Sequence, residues 1–179
     1  MMRSRILQAA VASALVAAAA PAQPMLQRGT QELAVHVSLD FEGAVGDTIT
    51  ADAGWGWFVR DALELRASLA YAILEDVAAE DSDFRTRQLA GGFEYHFRRA
   101  HELVPYLGLE LGWRATEFSD VTRSGLVYGP RGGVKIFLAD NVALDFEVVY
   151  LLAGDDVFVN DFAIEDTDLS TAIGLRVLF

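Results

Sequence analysis

The chain has 179 residues, 53% of them hydrophobic, with 26 Asp and Glu against 14 Lys and Arg, a formal net charge of −12 and no Cys. That length is one domain's worth, and the apolar content excludes a disordered acidic tail. The lack of Cys excludes a disulfide scaffold, a thiolate zinc site and a Cys nucleophile, and the acidic balance argues against nucleic acid as a partner.

Residues 1–22 read as an address. Arg3 and Arg5 precede a charge-free run from Ile6 to Ala20, and Ala20-Pro21-Ala22 offers the small-x-small pattern that a signal peptidase accepts. The run is short, rich in Ala and closed by Pro21 and Pro24, which suits a cleaved secretory signal better than a transmembrane anchor. The expected mature domain is 23–179, outside the cytoplasm and more acidic than the whole chain.

Beyond Gln23 the apolar residues recur with period two, so the expected class is all-β, in eight strands. The first, 33–41, sets Leu33, Val35, Val37, Leu39 and Phe41 against His36, Ser38 and Asp40. The second, 49–57, sets Trp55 and Trp57 against Asp52, Gly54 and Gly56, and the third, 63–73, sets Leu65 and Leu69 against Glu64, Arg66 and Ser68. The fourth, 89–97, opposes Phe93 and Tyr95 to Gly92, Glu94 and His96; the fifth, 107–115, opposes Leu109 and Trp113 to Gly108, Glu110, Gly112 and Arg114. The sixth, 128–138, opposes Val134 and Ile136 to Arg131, Gly133, Lys135 and Phe137. Pro130 inside it lacks an N–H, so a bulge or a late start near Gly132 is expected. The seventh, 142–152, carries Asp145 and Glu147 on its polar face, and the eighth, 169–179, carries Gly174 and Arg176. No Asp, Glu, Lys or Arg stands on any of the eight apolar faces, although 22% of the chain is charged.

Alternation alone leaves two architectures: a soluble lipocalin-like periplasmic binder with its apolar faces inward, or a membrane barrel with them outward. Small residues and mutually neutralising charges on the polar faces suit the narrow interior of an eight-strand barrel. Tyr71, Trp113, Tyr128 and Tyr150 toward one rim, and Trp57, Tyr95, Phe97 and Phe179 toward the other, form interfacial girdles. The links 42–48, 74–88, 116–127 and 153–168 are mostly longer than 58–62, 98–106 and 139–141, as outer loops are relative to periplasmic turns.

The unit from Gly133 to Tyr150, with its Asp140-Asn141 turn, and the terminal Gly174-Leu175-Arg176-Val177-Leu178-Phe179 resemble the small outer-membrane β-barrel proteins of OmpA/OmpX type, the outer membrane protein beta-barrel domain group. The resemblance implies an eight-stranded antiparallel up-and-down transmembrane barrel in the outer membrane, with both termini periplasmic. It implies membrane lipid and lipopolysaccharide as surroundings, and insertion by the outer-membrane assembly machinery, which reads a last strand ending in Phe179. No peptidoglycan-binding domain follows Phe179, so the wall-anchoring role of two-domain relatives is not implied.

Four functional readings follow. A structural or surface-interaction protein needs only the barrel, a polar lumen plugged by an ion network of Glu64, Arg66, Glu94, Glu110, Arg114, Lys135, Glu147 and Arg176, and acidic loops; a monomer without cofactor is expected. Divalent cations or basic partners would meet the acidic run from Asp155 to Asp168, whose spacing matches no ordered calcium loop. An enzyme would need His36, Ser38 and Asp40, a superficial echo of the His-x-Ser pair of outer-membrane lipid A deacylases, placed at the wrong end of the chain. With His96 expected in the lumen and His101 in a turn, no catalytic residue and no metal site is expected. A small porin-like channel is the remaining alternative, with Gly54, Gly56, Gly92, Gly108, Gly112, Gly133 and Gly174 either vacating space or relieving crowding.

Overall fold

The computed structural model describes residues 26–40, 47–75, 84–97, 103–118, 121–155, 157–160 and 163–179. The expected signal peptide, Phe41, His101, Asp156 and Asp161 lie outside them. In chain order the strands are β1 (Gln31–Asp40), β2 (Asp47–Arg60), β3 (Leu63–Glu75), β4 (Phe84–His96), β5 (Leu103–Phe118), β6 (Val121–Ala139), β7 (Val142–Ala153), β8 (Phe158–Asn160), β9 (Ala163–Glu165) and β10 (Thr167–Leu178). Eight of them close an antiparallel barrel in the order β1-β10-β7-β6-β5-β4-β3-β2, and β8 with β9 forms a separate two-stranded hairpin. Closure runs through Glu32↔Leu178, Val35↔Leu175 and Val37↔Ile173, so the first and last barrel strands leave no open edge.

Side chains alternate across this wall as the period-two pattern requires. Leu33, Trp55, Leu65, Leu89, Leu109, Val148 and Ile173 are exposed on the outside, whereas Glu64, Glu94, Lys135, Asp145 and Arg176 are buried within. A soluble protein would have the two sets exchanged, because a charge is costly to bury and an apolar side chain is costly to expose. The soluble lipocalin-like alternative is therefore corrected: its apolar faces point away from the cavity.

Two expected boundaries are also corrected. β6 begins at Val121, with no late start near Gly132, and the link expected over 116–127 is mostly strand, since β5 and β6 pair as far as Phe118↔Val121. At Pro130 there is no shift of register. The ladder to β7 passes from Tyr128↔Leu152 to Arg131↔Val149 in step, skipping Gly129 and Pro130, while Pro130 stays paired with Leu109 on the β5 side. The bulge in β6 lies instead between Phe137 and Ala139, at the turn into β7.

Each end of the interior carries an apolar layer. At the end bearing the start of β1 and Phe179, Leu26, Phe58, Val104, Phe137, Ala143 and Leu178 cluster. Leu26 is brought there by the segment before β1, whose Gly29 N–H donates to the Phe58 carbonyl (2.8 Å) and whose Leu26 carbonyl accepts from Ala62 N–H (3.0 Å). At the opposite end Val127, Leu151, Val157 and Phe158 cluster, with Val157 and Phe158 arriving from the connection after β7. Thr116 Oγ1 fastens that connection by donating to the Val157 carbonyl (2.9 Å).

Candidate functional site

Between the two apolar layers the barrel holds charge. The inward positions of β6 run from Phe137 through Lys135 and Arg131 to Val127, and the bases in that run meet acids carried by five other strands. Arg176 is the hub: its Nε lies 2.6 Å from Asp145 Oδ2, its Nη1 lies 2.8 Å from Glu32 Oε1 and 2.9 Å from Glu94 Oε2, and its Nη2 donates to Tyr106 Oη at 2.8 Å. Tyr106 in turn donates toward Asp145 (3.1 Å) and Glu147 (3.0 Å), while its ring lies under the Arg176 guanidinium at 4.7 Å.

Toward the loop end, Arg131 joins Glu110 (2.5 Å), Glu94 (3.2 Å) and Glu147, and Gln88 Nε2 donates to Glu110 (2.7 Å). Arg66 pairs with Asp52 at 2.6 Å. His36 stands between two carboxylates, Nδ1 at 3.1 Å from Asp52 and Nε2 at 2.8 Å from Asp145. Toward the terminus end, Lys135 Nζ lies 2.5 Å from Glu32 and 3.4 Å from Glu64. His96 is seated between the rings of Phe58 (5.2 Å) and Tyr106 (5.6 Å). Each ion has at least one opposite partner, which is the condition under which charges persist in a dry interior.

The structure brings together seven of the eight network residues expected from sequence. Arg114 stands apart: it pairs with Asp168 at 3.3 Å near the loop end and lies over the Phe158 ring at 4.7 Å. Sequence reasoning missed Glu32, which precedes the expected first strand, and Tyr106, which was assigned to a turn. Extending the alternation backward from Glu110 through Gly108 finds Tyr106 and then Val104, both buried. His36 does not turn to Ser38 as a catalytic pair would. Its two nitrogens face Asp52 and Asp145, and the Asp40 side chain lies outside the described residues.

The glycines relieve crowding and do not vacate space. A Cβ added at Gly56 would stand 1.5 Å from Glu64 Oε1, at Gly54 2.7 Å from an Arg66 nitrogen, and at Gly174 2.3 Å from the His36 ring. The long charged side chains lie flat over bare backbone on the neighbouring strand, which is how a narrow barrel accommodates so many of them.

Comparison with known proteins agrees with this architecture. The profile of the outer membrane protein beta-barrel domain family matches residues 9–177. No curated protein sequence matches the chain. Among solved structures, Neisserial surface protein A superposes with a TM-score of 0.61 at 20% identity, over 84% of this chain and 96% of that one. The N-terminal β-barrel domain of OprF from Pseudomonas aeruginosa gives 0.57 at 16% identity, over 85% and 98%. Ail, the attachment invasion locus protein of Yersinia pestis, gives 0.51 at 16%, over 86% and 100%. At these identities the likeness is one of fold. With an apolar outside, an ionic inside and a family match over most of its length, the chain belongs to the outer membrane protein beta-barrel domain family and resides in the outer membrane, where its apolar wall faces lipid.

Proposed function

We propose that the protein is a closed, non-conducting barrel with a structural or surface-interaction role, holding acidic loops on the outer face of the membrane. The observation that carries this reading is the filled interior. Any solute crossing it would have to displace Phe58 at one end, Phe158 at the other, and between them the Arg176 guanidinium, which is 0% exposed and bonded to groups from β1, β4, β5 and β7. Separating such pairs leaves uncompensated buried charges, a cost of several kcal/mol each, about 3–5 by analogy with broken buried pairs.

The reading is non-catalytic, since the His36 imidazole is fully engaged by carboxylates. The closed edge supports a monomer. Asp155 and Asp166, both exposed at the loop end, belong to the surface offered to basic partners or divalent cations. Phe179, on the outside and edge-on to Trp55 at 5.3 Å, is the residue offered to the assembly machinery. The deciding experiment is single-channel recording of the refolded protein in planar bilayers. Silence at high applied potential is expected, and steady ohmic steps would replace this reading with that of a small channel.

A further inference from the structure

Charge in the barrel interior does not balance. The carboxylates of Glu32, Asp52, Glu64, Glu94, Glu110, Asp145 and Glu147 outnumber the cations of Arg66, Arg131, Lys135 and Arg176 by three, with Arg114 and Asp168 neutralising each other. His36 stands among them, with Nδ1 3.1 Å from Asp52 and 3.5 Å from an Arg66 nitrogen, and Nε2 2.8 Å from Asp145. Among the described residues, the acids of the interior thus exceed its bases.

Two of the buried groups without hydrogen bonds lie together. Among the described residues, neither nitrogen of His96 makes a hydrogen bond, although the residue is 1% exposed, and Glu64 Oε1 is in the same condition, whereas Glu94 Oε1 is ion-paired with Arg131 Nε at 3.2 Å. His96 Nε2 lies 3.5 Å from Glu64 Oε2 and 3.7 Å from Glu94 Oε2. Those separations are long for hydrogen bonds. They are close to the roughly 3.3 Å edge of a tetrahedron whose ligands stand about 2.0 Å from a central ion. One imidazole and two carboxylates are also a donor set that zinc-class ions accept.

We propose that Glu64, Glu94 and His96 bind one divalent transition-metal ion of the zinc class inside the barrel, as a structural ion. Binding the ion requires Arg176 Nη1 to give up Glu94 Oε2 (2.9 Å) and Lys135 Nζ to give up Glu64 Oε2 (3.4 Å); Lys135 then keeps Glu32 at 2.5 Å and Arg176 keeps Asp145 at 2.6 Å. The rings of Phe58 and Tyr106 fix the His96 plane on either side. The other group of ligating side chains, His36 with Asp145 and Glu147, has its imidazole nitrogens already hydrogen-bonded and is not the site.

The site is solvent-excluded, so the ion enters as the barrel closes and then exchanges slowly. The test refolds the full mature chain into detergent with and without zinc sulfate, strips loosely held metal with EDTA on a desalting column, and measures retained zinc by mass spectrometry. One zinc per chain is expected, with an absorption-edge spectrum of one nitrogen and two or three oxygens at about 2.0–2.1 Å. His96→Gln and Glu64→Gln should retain less than a tenth of that while still migrating faster unboiled than boiled on a gel, and His101→Ala should retain all of it. If the wild type keeps no zinc through EDTA, or if folded His96→Gln keeps as much as the wild type, the proposal is wrong. Zinc retention and bilayer conductance are read independently, so this proposal and that of a closed barrel fail separately.

Discussion

Arg176 Nε and Asp145 Oδ2 lie 2.6 Å apart across the β7–β10 ladder, both at 0% exposure, and the same guanidinium reaches Glu32 on β1 and Glu94 on β4. One side chain thereby ties the closing strand to its neighbours on both sides and to the far wall. Replacing it by Met leaves four buried carboxylates, those of Glu32, Glu94, Asp145 and Glu147, without this partner. Arg176→Met should lower the unfolding free energy by about 3–5 kcal/mol or more. Arg176→Lys, which keeps the charge but cannot span three directions, should lie between. Urea unfolding in detergent, followed by the gel shift between folded and unfolded forms, measures both. An unmoved midpoint for Arg176→Met would mean that the network contributes nothing to stability.

A second prediction concerns space. Glu64 Oε1 occupies the position that a Cβ at residue 56 would need, the two being 1.5 Å apart. Gly56→Ala should therefore cost about 1–3 kcal/mol through overpacking. Combined with Glu64→Ala, the same change should cost much less than the sum of the two, since the clash is gone. Additive effects in the double-mutant cycle would place the strain elsewhere.

Most of the barrel is legible in the sequence, because membrane and lumen impose opposite demands on alternate residues. Leu65 beside Glu64 and Arg66, or Ile136 beside Lys135, carries the assignment without any long-range information. Legibility fails where those demands lapse. Above the membrane rim Thr122 and Ser124 face outward without apolar character, so the upper part of the β5–β6 hairpin reads as loop although the ladder continues to Phe118↔Val121. Glu32 and Tyr106 escape for the converse reason, standing at strand starts before a full period has accumulated. The pairing of Arg176 with Asp145, or of His96 with Glu64 and Glu94, depends on shear and barrel closure, which no single strand encodes. Val157 and Phe158 form an apolar dipeptide in an acidic connection, and only the fold shows that it enters the barrel mouth.

The orientation of the wall gives a third prediction. Leu69, halfway along β3, is 60% exposed, and all three tryptophans, Trp55, Trp57 and Trp113, point outward at 47%, 53% and 54%. Leu69→Arg should cost about 2–4 kcal/mol, the depth-dependent penalty for a cation on the lipid face near the bilayer midplane. In lipid vesicles, acyl chains brominated at successive depths should quench the tryptophan fluorescence, and water-soluble iodide should quench it little. Strong iodide quenching with indifferent bromolipids would mean that this wall does not face hydrocarbon.

The last prediction separates the two devices that close the barrel. Phe158 is buried with Val127, Leu151 and Val157 beneath the loop end, and the Arg114 guanidinium lies 4.7 Å from its ring centre. Phe158→Ala removes that ring and should cost about 3 kcal/mol, the lower end for truncating a buried Phe because its site is at the mouth and can fill with water. Conductance is a different matter. Below the lid, Arg131 still binds Glu94, Glu110 and Glu147, and a permeating ion would have to part all three pairs. Phe158→Ala should therefore unfold at lower urea and yet remain silent in a planar bilayer, and the additional change Arg131→Ala should remain silent too, because Arg176 and Phe58 still fill the interior. If Phe158→Ala alone conducts, the connection after β7 is the gate and the ion network is not the seal.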